Sequence, residues 1–220
     1  MAEADPGRNY LRIRDELPEH VALVVAAKGR SAGEIAAVIE AGARLMGENY
    51  VQEAERHRAE LGEAAGRAEW HMIGHLQRNK VGRSLPIFDM FQGVDSLRLA
   101  RALDARAEGP VRVLVEVNVG GEASKHGVEP EEAAVLVGQL AGLERIRLEG
   151  LMTMEPYFED PEDARPYFRR MRELFERLRD GAGPHWKILS MGMTHSWRVA
   201  VQEGATMVRI GTAIFGPRRG

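Results

Sequence analysis

The chain has 220 residues, enough for one well-buried domain. A hydrophobic fraction of 44%, a charged fraction of 29% and a formal net charge of −3 are ordinary for a soluble globular chain. They give no electrostatic case for nucleic acid or an anionic membrane surface, and the absence of cysteine excludes disulfides, thiolate metal sites and thiol nucleophiles.

The first 20 residues read as a helix with a partial apolar stripe at Tyr10, Leu11, Ile13 and Leu17. Their polar, acidic start lacks the basic and apolar regions of a signal peptide, and no later run reaches the roughly 18 apolar residues of a membrane span. A cytoplasmic location is therefore expected. A rhythm then begins. VALVVAAK (21–28) is an apolar run ending in lysine, and Ser31 with Glu34 forms a capping-box signature before a helix closed by Gly42. ARLMGEN (43–49) is a second strand, followed by a charged helix from Tyr50 to about Leu61. EWHMIG (69–74) is the third strand and FDMFQGVD (88–95) the fourth, with Ser96 as N-cap of a helix to about Ala107. VRVLVEVNV (111–119) is the fifth, with valine at every second position, and Pro130 is positioned to open the next helix. IRLEGLMTM (146–154) is the sixth strand, and Pro161 opens a long amphipathic helix through Leu178. ILSMG (188–192) is the seventh, a short helix runs to about Glu203, and MVRIGTAIFG (207–216) is the eighth.

Eight short apolar strands alternating with helices imply a parallel sheet with right-handed crossovers. The expected fold is a single (β/α)8 TIM barrel with an extra N-terminal helix over residues 1–20, and the whole of 1–220 forms one domain. A doubly wound sheet fits less well, because Lys28-Gly29-Arg30 contains no GxGxxG turn. Only four residues follow Gly216, so no second domain is expected beyond the barrel.

Barrel active sites form at the C-terminal ends of the strands. There lie Lys28, Glu48, Asn49, His71, Asn118, Thr153, Ser190, Arg209 and Thr212. Only Lys28, Lys80, Lys125 and Lys187 among the 30 basic residues are lysines, so Lys28 at the end of an apolar strand stands out. An amine held among apolar neighbours is more readily neutral and can attack a carbonyl. It can equally cap the strand and reach to water. The segments SMG (190–192) and RIGT (209–212) follow strands seven and eight, where barrels commonly bind phosphate. Gly192 and Gly211 admit backbone N–H groups to an anion, Ser190 and Thr212 add hydroxyls, and tight turns are the alternative reading of the glycines. Arg209 inside a strand needs a partner, either Glu116 or the ring nitrogen of a bound heterocycle. His71 and His75 have no obvious third ligand and no HExxH glutamate, so no metal site is expected.

GENYVQE (47–53), EWHMIGHLQRNK (69–80), SKHG (124–127), GLMTM (150–154), LSMGM (189–193) and VRIGTAIFG (208–216) together resemble the pyridoxal phosphate homeostasis protein family, which is similar to the N-terminal barrel of alanine racemase. The resemblance spans nearly the whole chain. It implies that Lys28 is the Schiff-base lysine for pyridoxal 5′-phosphate (PLP). It also implies that Ser190, Gly192, Gly211 and Thr212 hold the phosphate, that Arg209 faces the pyridine nitrogen, and that Asn49, His71 and Met152 line the pocket. Two segments depart from the family pattern. Gly29-Arg30-Ser31 replaces a threonine-lysine-proline-like turn, and MGMTHSW (191–197) stands where members read MGMS followed by an acidic pair or histidine-aspartate, with Thr194 and Ser196 in those places.

The function expected is a non-catalytic PLP carrier or buffer that supplies apo-enzymes, as a monomer or weak homodimer. A racemase-type PLP enzyme, with Tyr157 or His71 as second base, is the alternative. Further readings are a cofactor-free aldolase-like lysine and a barrel used only as a scaffold, the latter opposed by the polar groups gathered at one end of the strands.

Overall fold

The structure, a computed structural model, describes residues 5–122 and 125–217. The strands are β1 (Ala22–Ala26), β2 (Leu45–Glu48), β3 (Glu69–Met72), β4 (Met90–Val94), β5 (Val111–Glu116), β6 (Ile146–Met152), β7 (Ile188–Ser190) and β8 (Met207–Ile210). They pair in parallel in chain order, and β8 closes on β1 with Ala22 opposite Met207 and Val24 opposite Arg209. Around them lie α1 (Pro6–Glu16), α2 (Ala32–Glu40), α3 (Val51–Leu61), α4 (Val81–Ser84), α5 (Leu97–Arg106), α6 (Ala133–Ala141), α7 (Arg165–Leu178), α8 (Trp197–Gln202) and α9 (Thr212–Phe215). This is the (β/α)8 barrel that the alternation implies. No helix among the described residues is long and apolar enough to cross a membrane.

Strand parity sorts the side chains into two cores. Ala22, Val24 and Ala26 of β1 point into the barrel, where they meet Ile73, Met90, Leu114, Met152, Ile188 and Met207. Leu23, Val25 and Ala27 point the other way, into the layer between sheet and helices. The alternating valines of β5 also belong to that outer layer, which leaves Leu114 inside. Regular pairing of β5 stops at Glu116, short of the expected Val119, and Val117 continues through a single bridge to Val128.

Three further boundaries differ from expectation. Pro130 is followed by turns, and α6 starts at Ala133. Pro161 opens a 3-10 turn rather than α7, because Pro166 has no N–H to bond the carbonyl of Glu162 and its ring crowds that carbonyl. The α-helix therefore starts at Arg165, with Pro166 in its first turn. The eighth strand ends at Ile210, and the apolar segment after it coils into α9, which buries Ile214 and Phe215 and packs on α1.

Candidate functional site

Lys28 follows Ala26 by two residues and so continues the inward-facing series of β1 to the barrel mouth. It is half-buried rather than sealed among apolar groups, with its Nζ 5.0 Å from the centre of the exposed Tyr50 ring. The turn after it is held from the side. The Gly29 N–H donates to Glu53 Oε2 at 3.2 Å, and the Arg30 guanidinium binds the carbonyls of Phe215, Gly216 and Pro217. Glu48, by parity, points away from the barrel. Its Oε1 lies 2.6 Å from His57 Nδ1, and both side chains are fully buried. Burial raises the Glu48 pKa against the pull of His57. For His57, burial opposes the charged form, but the bond to Glu48 prevails and the pKa rises. This pair clamps β2 to α3 and leaves Asn49 turned to the mouth.

A cavity of about 340 Å³ opens there. Lys28, Asn49, Arg209, Gly211 and Thr212 line it. Arg209 is buried, and it binds Ser190 Oγ and the carbonyl of Thr153, each at 2.7 Å, rather than pairing with Glu116. Burial lowers its pKa, and the charges of Glu155 and Glu116 oppose that shift. Glu116 is itself pushed up to about 7, first by burial and then by Asp95, with Arg209 opposing. Thr212 begins α9, and the Ala213 N–H donates to Thr194 Oγ1 at 3.3 Å, so two hydroxyls and a helix start meet on one wall.

His71, Met152, Ser190 and Gly192 do not reach that wall. His71 and Met152 are fully buried inside the barrel, below the cavity. His71 Nδ1 lies 2.9 Å from Gln92 Nε2, and the Ser190 hydroxyl donates to Gln92 Oε1 at 2.7 Å while accepting from Arg209. Ser190 thus steadies Arg209 from below. Gly192 has φ +94°, and a Cβ there would stand 2.5 Å from Ala200 Cβ, so this glycine admits α8 against β7.

Two loops supply further lining, of which sequence reasoning singles out only Tyr157 and the Thr194–Ser196 departure. Glu155, Tyr157 and Phe158 come from the segment after β6, and Met193, Thr194, His195 and Ser196 from the segment after β7. Ser196 Oγ makes a short hydrogen bond to the buried Glu155 carboxylate and accepts from the Met193 N–H. An acidic group therefore stands beside the Thr194–Ser196 departure, brought in from a different loop. The signal for it is Glu155 itself, a lone carboxylate just past an apolar strand end.

Residues 7–219 match the family described as alanine racemase, N-terminal domain. A pyridoxal phosphate homeostasis protein from Aquifex aeolicus is 45% identical over 184 residues, covering 81% of this chain and 78% of its own. Its counterpart in Escherichia coli K12 is 38% identical over 232 residues, 97% of both chains. The chain belongs to the pyridoxal phosphate homeostasis protein family. PipY of Synechococcus elongatus, solved with PLP bound, aligns with a TM-score of 0.88 at 31% identity, over 96% of this chain and 100% of its own. The family motifs collect at the C-terminal ends of the strands and in the helices that follow them; Ser124 of SKHG lies outside the described residues.

Proposed function

We propose that this chain holds PLP covalently on Lys28 and serves PLP homeostasis as a carrier or buffer, without robust catalysis of its own. The observation that carries the reading is the joint exposure of Lys28, Arg209 and Thr212 to one cavity at the mouth of the barrel. The donor set suits a phosphorylated aromatic aldehyde. It offers an amine at β1, a buried cation at β8, and hydroxyl and backbone donors where α9 starts. Bound PLP would supply an electrophilic aldehyde and a pyridine ring able to withdraw electrons.

In this reading Lys28 binds the aldehyde carbon, Thr212 and Gly211 hold the phosphate with help from Thr194, and Asn49 orients the ring. Arg209 faces the ring nitrogen. Two of its five N–H groups are engaged by Ser190 and Thr153, which leaves others for the cavity. A guanidinium does not give up its proton, so the ring nitrogen remains unprotonated and the ring is a weak electron sink. That favours holding the cofactor over turning substrates over. Ser190 and Gly192 support Arg209 and α8 from behind, and His71 and Met152 form the floor. The same reading makes the chain one cytoplasmic PLP-binding domain, a monomer or weak homodimer, that gives PLP to apo-enzymes.

A racemase-type activity is the second reading, favoured by Tyr157 on the cavity wall with its ring 5.9 Å from that of His195. The sealed position of His71 leaves Tyr157 as the candidate second base. Exchange of amino-acid α-protons in deuterated water at enzymatic rates would establish it.

Borohydride reduction followed by peptide mass mapping tests the main proposal. A pyridoxyl group on the peptide holding Lys28 is expected. Its appearance only on Lys80, Lys125 or Lys187 would overturn the assignment.

A further inference from the structure

His75 lies just past β3, Asp95 follows β4, and His126 sits on the loop between β5 and α6. In barrel order these elements lie across the mouth from β8 and β1, and none of the three lines the cavity that holds Lys28. The two imidazoles stack with centroids 4.0 Å apart, and His75 Nδ1 lies 3.3 Å from Asp95 Oδ2. One ligand atom from each of the three residues falls within 4.8 Å of the others. The sequence showed only a histidine pair, His71 and His75, with no third ligand. The fold sends those two in different directions and brings in Asp95 and His126 instead.

We propose that His75, Asp95 and His126 form a site for a divalent transition-metal ion, with zinc the expected occupant. Imidazole nitrogen and carboxylate oxygen are the donor types zinc takes, and three protein ligands leave a position for water. A tetrahedral zinc ion with bonds of about 2.0–2.2 Å sets its ligand atoms roughly 3.4 Å apart. His75 and Asp95 already stand at 3.3 Å. The exposed His126 ring completes the set by turning out of the stack and closing by up to about 1.4 Å from within 4.8 Å. Its backbone is anchored for this. Val128 donates to the Glu116 carbonyl and accepts from the Asn118 N–H, both at 2.9 Å, which returns the loop onto the end of β5. Gly127, at φ +110°, makes the turn between that anchor and His126. A bound ion would tie β3, β4 and the β5–α6 loop into one rim.

The test is calorimetric titration of zinc chloride into the untagged full chain after chelator treatment, in a non-coordinating buffer. Expected are one zinc per chain and at least tenfold weaker binding in both His126→Ala and Asp95→Asn, while His185→Ala matches the parent. Cobalt(II) should develop visible d–d absorption in the parent that His126→Ala lacks. All of these side chains are at least partly exposed, and thermal unfolding of each variant verifies its fold. Absence of saturable binding in the parent, or parental affinity in folded His126→Ala, would overturn the site. So would displacement of the zinc by millimolar magnesium, which prefers oxygen ligands.

Discussion

Arg209 reaches the cavity from inside the barrel, with Ser190, Thr153 and the Gln92 amide beyond them forming its support. Its position follows from strand parity, since Val208 and Ile210 on either side belong to the outer core. Lys28 is legible in the sequence for the same reason: a charge that ends an inward-facing series of small residues can go only to the mouth. Ser190 also faces inward, but it sits one step too deep. Depth depends on how β7 and β8 are staggered, which no local pattern records. Thr212 is the residue whose proposed role is most open to measurement. Thr212→Ala should lose a charge-assisted hydrogen bond to phosphate, about 1.5–3 kcal/mol, and so weaken PLP retention roughly 10- to 100-fold. Pyridoxal, which lacks the phosphate, should be retained as before. Equal losses for both ligands, read by equilibrium dialysis, would remove Thr212 from the phosphate site.

At the scale of elements, a side-chain cap is a sound local signal for a helix start, whereas Pro130 and Pro161 each stand ahead of the α-helix that follows. Ser31 caps α2 as its spacing implies. The Glu34 N–H donates to Ser31 Oγ at 3.3 Å, and the Ser31 N–H donates to Glu34 Oε2 at 2.9 Å. Ser31→Ala should therefore cost about 1 kcal/mol. For a chain of this size that corresponds to a fall in melting temperature of roughly 2–4 °C, measurable by calorimetry. No change would mean that Arg30, whose guanidinium lies 3.7 Å from Glu34, is the group that orders this turn. Strand ends are less legible. Residues 207–216 read as one apolar run, yet the last part coils as α9 because burial against α1 satisfies Ile214 and Phe215 in either conformation. The 3-10 start before α7 is the opposite case, since Pro166 is in the sequence and its effect on the carbonyl of Glu162 is local.

Across the whole molecule, a polar path runs through the barrel below the cavity. It passes from Arg209 through Ser190 and Gln92 to His71, whose Nε2 lies 3.7 Å from Glu69 Oε2. Glu69 meets Arg112 Nη1 at 2.8 Å, and Arg112 in turn binds the buried Glu149 carboxylate. His71 and Arg112 together hold the Glu69 carboxyl down to about 2, against the opposing effect of burial. A lowered folded-state pKa contributes stability above the unfolded value near 4.3 that is lost as pH falls toward 2. Glu69→Gln should thus be less stable than the parent at pH 6, with the gap narrowing between pH 4.5 and 2, as followed by urea midpoints. A gap that stays constant over that window would show that Glu69 acts through packing alone.

The sequence by itself determined the alternation of strand and helix, the closed barrel it implies, and the family to which the chain belongs. It also determined at which end of the strands the polar side chains gather, because periodicity and strand-end charges are local properties. Tertiary structure alone decided which inward-facing residues reach the cavity and which remain beneath it. It also decided that Glu155 stands beside Ser196, and that His75 meets Asp95 and His126 rather than His71. Those outcomes depend on strand stagger and on loops that meet across the mouth. Residues far apart in the chain become neighbours there only when the barrel closes.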